Sequence, residues 1–359
     1  MTIRIGVLNG DGIGPEVIPS AVAVLERAAA KHGVQLDLLP LPIGSEAIAS
    51  HRTAVPVSTL DSLGECDGWI LGPHDSESYP EEFRGEPTPS GVIRKHFDLF
   101  ANLRPSYTLP GAPSHKPAID LVVVRENTEG FYADRNMYRG MGEAMPTPDV
   151  ALATGVFTRV AINRIAHAAC RLAMRRRKQL DVIHKANVLR MTSGLFLKEC
   201  QAVAAEYEGL VVRDYHVDNA AALLVRDPER FDVLVCENMF GDILSDLTAE
   251  LVGGLGLAPS INSGESRAMA QATHGSAPDI AGKGIANPTA EMLSTAMLID
   301  WMGDQKHQPE LFEVARCISD SVAGALRSGV TTRDLGGTAS TAEFTAAVLA
   351  QVDSWAKPE

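Results

Sequence analysis

Short apolar runs alternate along the chain with longer stretches in which apolar residues recur every three or four positions. The first run, Ile3-Arg-Ile-Gly-Val-Leu8, is typical of a β-strand, and a helix is predicted over residues 15–32 with Pro15 in its first turn. Short apolar runs at 34–39 and 68–72 predict two more strands. Strands that alternate with helices indicate an α/β fold with a good share of parallel pairing.

The same alternation resumes near residue 100, after a stretch at 73–91 that is rich in proline, glycine, glutamate and serine and predicts a long loop. A second stretch rich in proline, glycine and methionine, 137–149, predicts an arm or another long loop. The glycines of 253–264 predict the connection by which the chain leaves its middle region. The remaining predicted elements are strands at 119–124, 180–184, 209–215 and 231–236 and helices at 157–178, 192–207, 288–303 and 309–328.

Composition excludes several classes of protein. The net charge of −13 over 359 residues argues against a nucleic-acid-binding surface, which needs a basic patch. No apolar run approaches the ~20 residues of a membrane span, and the first residues are typical of a strand rather than of a signal peptide. The five cysteines are scattered and form no CxxC pair, so we expect reduced thiols in a cytoplasmic protein.

Two aspartates one helical turn apart, Asp242 and Asp246, follow the predicted strand at 231–236. Their spacing puts both carboxylates on one face of a helix, where like charges repel by a few tenths of a kcal/mol. A hard divalent cation with oxygen ligands, Mg²⁺ or Mn²⁺, would compensate that repulsion, and Asp218 offers a third carboxylate. The alternative is that acidic residues simply favour the N-terminus of a helix because of its dipole.

Basic and phenolic side chains lie near predicted element ends. Arg94, Arg104 and Arg125 occur in neighbouring motifs, and guanidinium groups bind carboxylates bidentately, so we expect a substrate with at least two carboxylates. Each arginine taken alone is also compatible with a surface ion pair. Tyr132 could donate a proton or simply pack with its hydroxyl satisfied. Lys185, in Ile183-His-Lys-Ala-Asn187, follows a predicted strand and could act as a base or bind a carboxylate.

Two glycine-rich segments could approach a nucleotide. Gly10-Asp-Gly-Ile-Gly14 directly follows the first strand, but its spacing is GxGxG rather than the GxGxxG of a dinucleotide-binding turn. Small residues dominate the segment 274–288, so its backbone amides are available to phosphate oxygens. Within that segment Asp279 could accept a hydrogen bond from a ribose hydroxyl and would repel a 2′-phosphate, which favours NAD over NADP.

Taken together, these motifs resemble the β-decarboxylating dehydrogenases, the family of isocitrate, 3-isopropylmalate, homoisocitrate and tartrate/D-malate dehydrogenases. The resemblance spans essentially the whole chain. The motifs that carry it are Gly10-Asp-Gly-Ile-Gly-Pro-Glu16, Leu99-Phe-Ala-Asn-Leu-Arg-Pro105, Glu237-Asn-Met-Phe-Gly-Asp-Ile-Leu-Ser-Asp246, the segment 274–288 and Asp334-Leu-Gly-Gly337. Several long motifs in one order make a chance match improbable.

The resemblance implies a two-domain α/β fold that is not a Rossmann fold, with the active site in the cleft between the domains. Residues 1–99 and 254–359 would form the cofactor-binding domain, and residues 100–253 the substrate, metal and dimerisation domain, with an arm near 137–155. The family works as dimers in which each subunit completes the active site of the other. The glycine motif at 10–14 is then not a pyrophosphate site.

The resemblance also implies roles for single residues. Arg94, Arg104 and Arg125 would bind the malate carboxylates, and Tyr132 would protonate the enolate left by loss of CO₂. Lys185, from the partner subunit, would assist removal of the hydroxyl proton. The metal ligands would be Asp242, Asp246 and, from the partner subunit, Asp218; Asn187 would contact substrate; and NAD would be bound by Ile13, His274, Gly275, Ser276, Ala277, Asp279 and Asn287.

Substrate choice in this family depends on the residues just before the first arginine. Ser90 and Gly91 stand where isopropylmalate enzymes tend to place adjacent leucines, so a simple isopropyl pocket is not expected. Thr88 and Ser90 could instead form hydrogen bonds with a polar substituent, which points to isocitrate, homoisocitrate, tartrate, D-malate or another 3-substituted malate. Two alternatives to this enzyme are a non-catalytic regulatory subunit of the same fold and an ordinary Rossmann dehydrogenase without metal.

Overall fold

The computed structural model describes residues 2–116, 118–132 and 142–357. Its strands are Thr2–Leu8 (β1), Gln35–Pro40 (β2), Gly68–Leu71 (β3), Ala101–Tyr107 (β4), Asp120–Glu126 (β5), Glu143–Thr147 (β6), Val150–Ala153 (β7), Gln179–His184 (β8), Val211–His216 (β9), Val233–Cys236 (β10), Ile261–Ser263 (β11) and Ala268–Ala270 (β12). Its helices are Gly14–Lys31 (α1), Gly44–His51 (α2), Val57–Gly64 (α3), Pro89–His96 (α4), Arg159–Met174 (α5), Thr192–Ala204 (α6), Val217–Arg226 (α7), Asn238–Leu251 (α8), Thr289–Lys306 (α9), Pro309–Arg327 (α10) and Thr341–Ser354 (α11).

In the described part of the chain, ten strands form one mixed sheet in the order β2-β1-β3-β12-β11-β4-β5-β10-β8-β9. The pairs are parallel except where β11 meets β12 and β4 and where β4 meets β5. The predicted α/β class is therefore confirmed. The antiparallel pairs lie in the middle of the sheet. A Rossmann sheet is built from parallel βαβ units and has no such antiparallel centre. The hypothesis of an ordinary Rossmann dehydrogenase is therefore wrong.

Two of the hydrophobic clusters draw on different parts of the chain. One cluster joins both ends of the chain, because it contains Val17 of α1, Ile299 of α9 and Ile318 of α10. A separate cluster in the middle of the chain contains Ile165 of α5 and Val235 of β10. The division into a domain made from both termini and another made from the middle, with boundaries at 99/100 and 253/254, stays a prediction.

Two predicted loops contain regular structure. The segment 73–91 holds two 3₁₀ turns and the start of α4, where Thr88 caps the helix and Pro89 occupies the first turn. The predicted arm at 137–149 is partly an exposed antiparallel hairpin of β6 and β7, and residues 133–141 lie outside the described residues. No helix in the described residues is long and apolar enough to cross a membrane.

Parallel strands place the candidate chemistry at one edge of the sheet. The carboxyl ends of β1, β3, β5, β8, β9 and β10 lead directly into the segments that contain the glycine motif, His74, Tyr132, Lys185, Asp218 and Asp242. Ligands of open α/β sheets bind at this edge. The sheet thus gathers residues that are far apart in sequence.

Candidate active site

The central part of the site is formed where α8 packs across β4 and β5. Asn102 of β4 lies directly opposite Arg125 of β5, and Arg104 lies two residues further along β4. Gly241 allows α8 to approach this pair of strands, because a Cβ atom at position 241 would lie 2.7 Å from the Arg125 side chain. The close approach brings the first aspartate of α8, Asp242, onto both arginines.

Asp242 is the point at which three predicted site residues meet. Its Oδ1 accepts hydrogen bonds from Arg125 and from Arg104, the latter at 3.2 Å, and its Oδ2 accepts one from the Tyr132 hydroxyl at 3.2 Å. Burial by itself would raise the pKa of Asp242, but the charges of Arg125 and Arg104 outweigh burial and hold it below its usual value. Asp242 is therefore an ionised carboxylate held between two guanidinium groups.

Asp246 lies one turn further along α8 and keeps a side chain that is 55% exposed. Its Oδ1 is 3.6 Å from Arg104, so it joins the same charged cluster at longer range. Burial raises the pKa of Asp246, and the neighbouring Asp242 charge adds to the rise while Arg104 opposes it. The predicted pair of carboxylates on one helical face is present, and Asp246 is the more exposed of the two.

The donor set fits a hard divalent cation. Two anionic carboxylates one turn apart offer oxygen ligands of the kind that Mg²⁺ and Mn²⁺ prefer. The described residues of one chain contain no group of three His, Cys, Asp or Glu side chains that could hold a metal ion. Asp242 and Asp246 would therefore be joined by ligands from substrate, water or a second chain.

Polar residues that the sequence did not single out hold the arginines in place. Asn238 accepts two hydrogen bonds from Arg125, at 2.9 and 2.7 Å, and Ser245 accepts one from Arg104 at 2.8 Å. Arg94 of α4 donates to the Gln271 side chain at 3.0 Å. Asn238 and Ser245 lie inside the predicted aspartate motif, which was a usable signal, whereas nothing in the sequence around Gln271 indicates this contact.

The residues before Arg94 show how the predicted substituent pocket is built. The Thr88 hydroxyl oxygen accepts a hydrogen bond from the Gly91 backbone N–H at 3.3 Å, so it caps α4. Ser90 is buried and its Oγ lies 3.4 Å from Nε2 of His74, a residue that sequence reasoning missed. Burial, together with the nearby positive charge of Arg94, lowers the pKa of His74 to about 4. His74 is therefore neutral at physiological pH.

Lys185 and Asp218 form a pair of their own at the far side of the sheet. Lys185 Nζ donates to Asp218 Oδ1 at 2.6 Å, and this hydrogen bond lowers the pKa of the exposed Asp218 carboxyl. Asn187 lies two residues after Lys185 and is exposed. Since β9, which leads to Asp218, is three strands away from β5, the spacing of ~4.8 Å per strand separates the pair from the Arg125 cluster.

The backbone of Lys185 is connected to the aspartate helix by a short chain of hydrogen bonds. The Lys185 N–H donates to Ser193 Oγ at 2.7 Å, and the Ser193 hydroxyl donates to Glu237 at 2.7 Å. Glu237 is the N-cap residue of α8, and burial raises its pKa to about 7. Neither Ser193 nor Glu237 was assigned a role from the sequence.

The glycine motif at 10–14 allows its backbone to pack closely against the backbone of Ser276. The Ile13 N–H donates to the Ser276 carbonyl at 2.9 Å, and a Cβ atom at Gly12 would lie only 2.0 Å from that oxygen. Asp11 accepts hydrogen bonds from the backbone of Ser45 and Asp75 and from the Tyr79 hydroxyl. The motif is thus a structural turn that brings the loop after β1 against the predicted cofactor loop.

The predicted cofactor loop is ordered by its own contacts. His274 Nδ1 lies 3.0 Å from the Gly275 carbonyl, and burial lowers the pKa of His274. The Asn287 amide donates to Asp334 at 2.9 Å. Ala277 has a positive φ of 41°, and Asp279 is exposed. The space around Gly275 is open, so a ligand could approach the backbone of this loop closely.

Comparisons with known proteins agree over nearly the full length of the chain. A family model described as isocitrate/isopropylmalate dehydrogenase matches residues 4–348. The isocitrate/homoisocitrate dehydrogenase of Thermus thermophilus is 44% identical over 358 residues, which cover 99% of this chain and 100% of that protein. The 3-isopropylmalate dehydrogenase of Saccharolobus solfataricus is 38% identical, with 94% and 96% of the two chains covered. A crystal structure of isocitrate dehydrogenase from Methylococcus capsulatus matches with a TM-score of 0.87 at 37% identity, covering 98% of this chain and 99% of that one.

Proposed function

Because the chain belongs to the isocitrate/isopropylmalate dehydrogenase family, we propose that this dehydrogenase oxidises and decarboxylates a 3-substituted (2R)-malate, with NAD and a divalent cation, Mg²⁺ or Mn²⁺. The observation that carries the proposal is the convergence of Arg104, Arg125 and Tyr132 on Asp242. These side chains combine carboxylate binding, a proton donor and a cation ligand within hydrogen-bonding distance of one another.

In the proposed reaction, Arg94, Arg104 and Arg125 bind the substrate carboxylates and orient C2 and C3. Asp242 and Asp246 would hold the cation, which supplies Lewis-acid stabilisation of charge on the substrate oxygens when bound. Lys185 assists removal of the hydroxyl proton as a hydride leaves C2 for NAD. The resulting β-keto acid loses CO₂, and Tyr132 protonates C3 of the enolate.

We further propose that the protein acts as a homodimer with shared active sites. In support, Asp218 follows β9, which lies three strand spacings of ~4.8 Å, or ~14 Å, from β5 and its Arg125, whereas metal–oxygen bonds are about 2.0–2.6 Å long. Lys185 follows β8, two spacings or ~10 Å from β5. A second copy could present the pair to the cluster. Several apolar side chains near these residues are also exposed, among them Val188, Met191 and Ile243.

The remaining proposals concern the class and the location of the protein. Retention of Tyr132, Lys185 and all three aspartates argues against a non-catalytic regulatory subunit, and nothing in the comparisons favours one. We also propose a cytoplasmic location, which the five buried free thiols support.

A substrate panel tests the proposed function. NADH formation with Mg²⁺ or Mn²⁺ is expected with at least one of isocitrate, homoisocitrate, 3-isopropylmalate, D-malate and tartrate, together with an equimolar release of CO₂. EDTA is expected to abolish the reaction, and added Mn²⁺ to restore it. Activity that survives EDTA, or NADH formation without CO₂, would contradict the proposal.

The choice of NAD over NADP is tested at Asp279. Replacing Asp279 with alanine removes an exposed negative charge that would repel a 2′-phosphate. We expect the NAD/NADP ratio of kcat/KM to fall several-fold, roughly the effect of 1 kcal/mol. Glu265, an exposed acidic residue outside the predicted cofactor loop, provides the matched control as Glu265→Ala. An unchanged ratio in Asp279→Ala would mean that the cofactor lies elsewhere.

A further inference from the structure

Two of the arginines of the proposed substrate site are joined by a continuous series of buried hydrogen bonds. Arg94 donates to the Gln271 side chain at 3.0 Å, and the Gln271 backbone N–H donates to the Ser260 carbonyl at 3.1 Å. The Ser260 hydroxyl donates to Asn102 Oδ1 at 2.9 Å, and the same oxygen accepts a hydrogen bond from Arg104 Nε at 3.3 Å. Each residue of this series, here called the arginine network, is at most 9% exposed.

The strand order builds the arginine network. Ser260 directly precedes β11 and Gln271 directly follows β12, and these two strands pair with each other, so both residues lie at the same end of the pair. On its other side β11 pairs with β4, which contains Asn102. The β11–β12 pair therefore connects Arg94 of α4 to Arg104 of β4, although 156 positions separate Arg104 from Ser260 in the sequence.

The arginines fix the orientation of both amide side chains in the network. A guanidinium group has only N–H donors and no acceptor, so the amide atom that faces it must be the oxygen. The NH₂ group of Asn102 then points away from Arg104, and it is buried with no hydrogen-bond partner among the described residues. An unused buried donor lowers stability. Packing alone therefore does not account for an asparagine at this position.

A guanidinium group that is already held in place loses less freedom when it binds a carboxylate. Arginine has one of the largest rotamer entropies among side chains, and immobilising it is part of the cost of binding a ligand. The arginine network immobilises Arg94 and Arg104 when the protein folds. It also fixes the two guanidinium groups relative to each other, which a substrate requires if its carboxylates bind to both.

We propose that Gln271, Ser260 and Asn102 are positioning residues that act as one unit and hold Arg94 and Arg104 in the orientation that binds the substrate carboxylates. This inference rests on the proposed function, because that proposal assigns the two arginines to the substrate. The three residues act through the arginines and do not themselves take part in the chemical steps.

The first test separates KM from kcat in the full-length enzyme with NAD and Mn²⁺, using the substrate that the wild type oxidises best. Gln271→Met and Asn102→Leu each remove the acceptor of one arginine and roughly keep the size of the side chain. We expect the substrate KM to rise about 10- to 100-fold in each, since hydrogen bonds to charged groups are lost, with little change in kcat or in the KM for NAD. Asn102→Asp keeps the acceptor oxygen and loses only the unpartnered NH₂ group, so it is expected to recover part of the affinity.

A double-mutant cycle tests whether the residues act as one unit. Because either substitution already breaks the network, the double variant Gln271→Met/Asn102→Leu is expected to raise the substrate KM by clearly less than the product of the two single factors. Ser260→Ala removes the connecting hydroxyl with the smallest change in volume. In that background the two factors are expected to multiply, and factors that multiply in the wild-type background would overturn the proposed unit.

Ser106→Ala is the matched control, because Ser106 is another buried residue of β4 and its hydroxyl donates to Thr248 at 2.9 Å, outside the network. It is expected to lower thermal stability without raising the substrate KM. A wild-type KM in Gln271→Met, Asn102→Leu and Ser260→Ala would overturn the inference, as would losses confined to kcat or equal KM increases in Ser106→Ala. Failure of the wild type on the whole substrate panel would instead refute the proposed function, and circular dichroism of each variant identifies loss of fold.

Discussion

Replacing Asp246 with asparagine is expected to weaken Mn²⁺ binding at least about 100-fold, since even residues that only support metal ligands cost 10- to 100-fold when changed. The substitution removes one of the proposed anionic oxygen ligands and keeps the size of the side chain. Asp246 is the better choice of the pair because its side chain is half exposed and only distantly paired with Arg104. The fold should therefore be preserved.

Asp242 would be a less informative target. It accepts hydrogen bonds from Arg104, Arg125 and Tyr132, so a substitution there would disturb two buried guanidinium groups together with the metal. Breaking a buried ion pair by removing one partner is strongly destabilising, typically by about 3–5 kcal/mol. Loss of activity in Asp242→Asn would therefore not distinguish metal binding from stability.

The measurement is a Mn²⁺ titration of Asp246→Asn, by calorimetry on the purified protein and by activity. Glu250→Gln is the matched control, because Glu250 is an exposed acidic residue on the same helix, one turn after Asp246. The control should bind Mn²⁺ as the wild type does. If Asp246→Asn also kept wild-type metal affinity, Asp246 would not be a ligand and the acidic pair would reflect only the preferences of a helix N-terminus.

Local patterns predicted the parts of this molecule that depend on nearby residues. The i, i+4 spacing placed Asp242 and Asp246 on one helical face, and apolar runs predicted β1, β3, β5, β8 and β10. Some local signals were also missed. The capping box of Ser340 and Glu343 begins α11, and Thr88 with Pro89 begins α4, yet neither helix was predicted.

Contacts between distant segments could not be predicted in this way. Gln271 meets Arg94 across 177 positions, and His74 meets Ser90 only because the loop after β3 folds back toward α4. No periodicity or spacing in the sequence predicts such pairs. They arise because the sheet places strands that are far apart in sequence next to each other, β3 beside β12 and β11 beside β4. The sequence therefore predicted the charged and phenolic residues that meet at Asp242 but not the polar groups that hold them.

The strand order also bears on Lys185. This lysine and Asp218 follow β8 and β9, at the end of the sheet beyond β10, whereas Asp242 contacts Arg125 at the end of β5. The Lys185–Asp218 hydrogen bond leaves both groups at a surface, with 26% of the lysine side chain and 68% of the aspartate side chain exposed. Under the shared-site proposal, a second copy brings its own carboxylates and arginines to this lysine.

Lys185→Met is accordingly expected to lower kcat by about 10²–10⁴, the usual contribution of an acid–base group, with little change in Mn²⁺ affinity.

The shared-site proposal also predicts that two inactive variants restore activity when they form mixed dimers. When Lys185→Met and Asp246→Asn are mixed and allowed to exchange subunits, half of the dimers contain one of each. One of their two sites then has an intact lysine from one chain and intact aspartates from the other, so about a quarter of wild-type activity should return. If Lys185 instead serves the site of its own chain, every site in the mixture carries a defect and no activity returns. A mixture of Lys185→Met with itself, taken through the same exchange procedure, provides the baseline for the comparison.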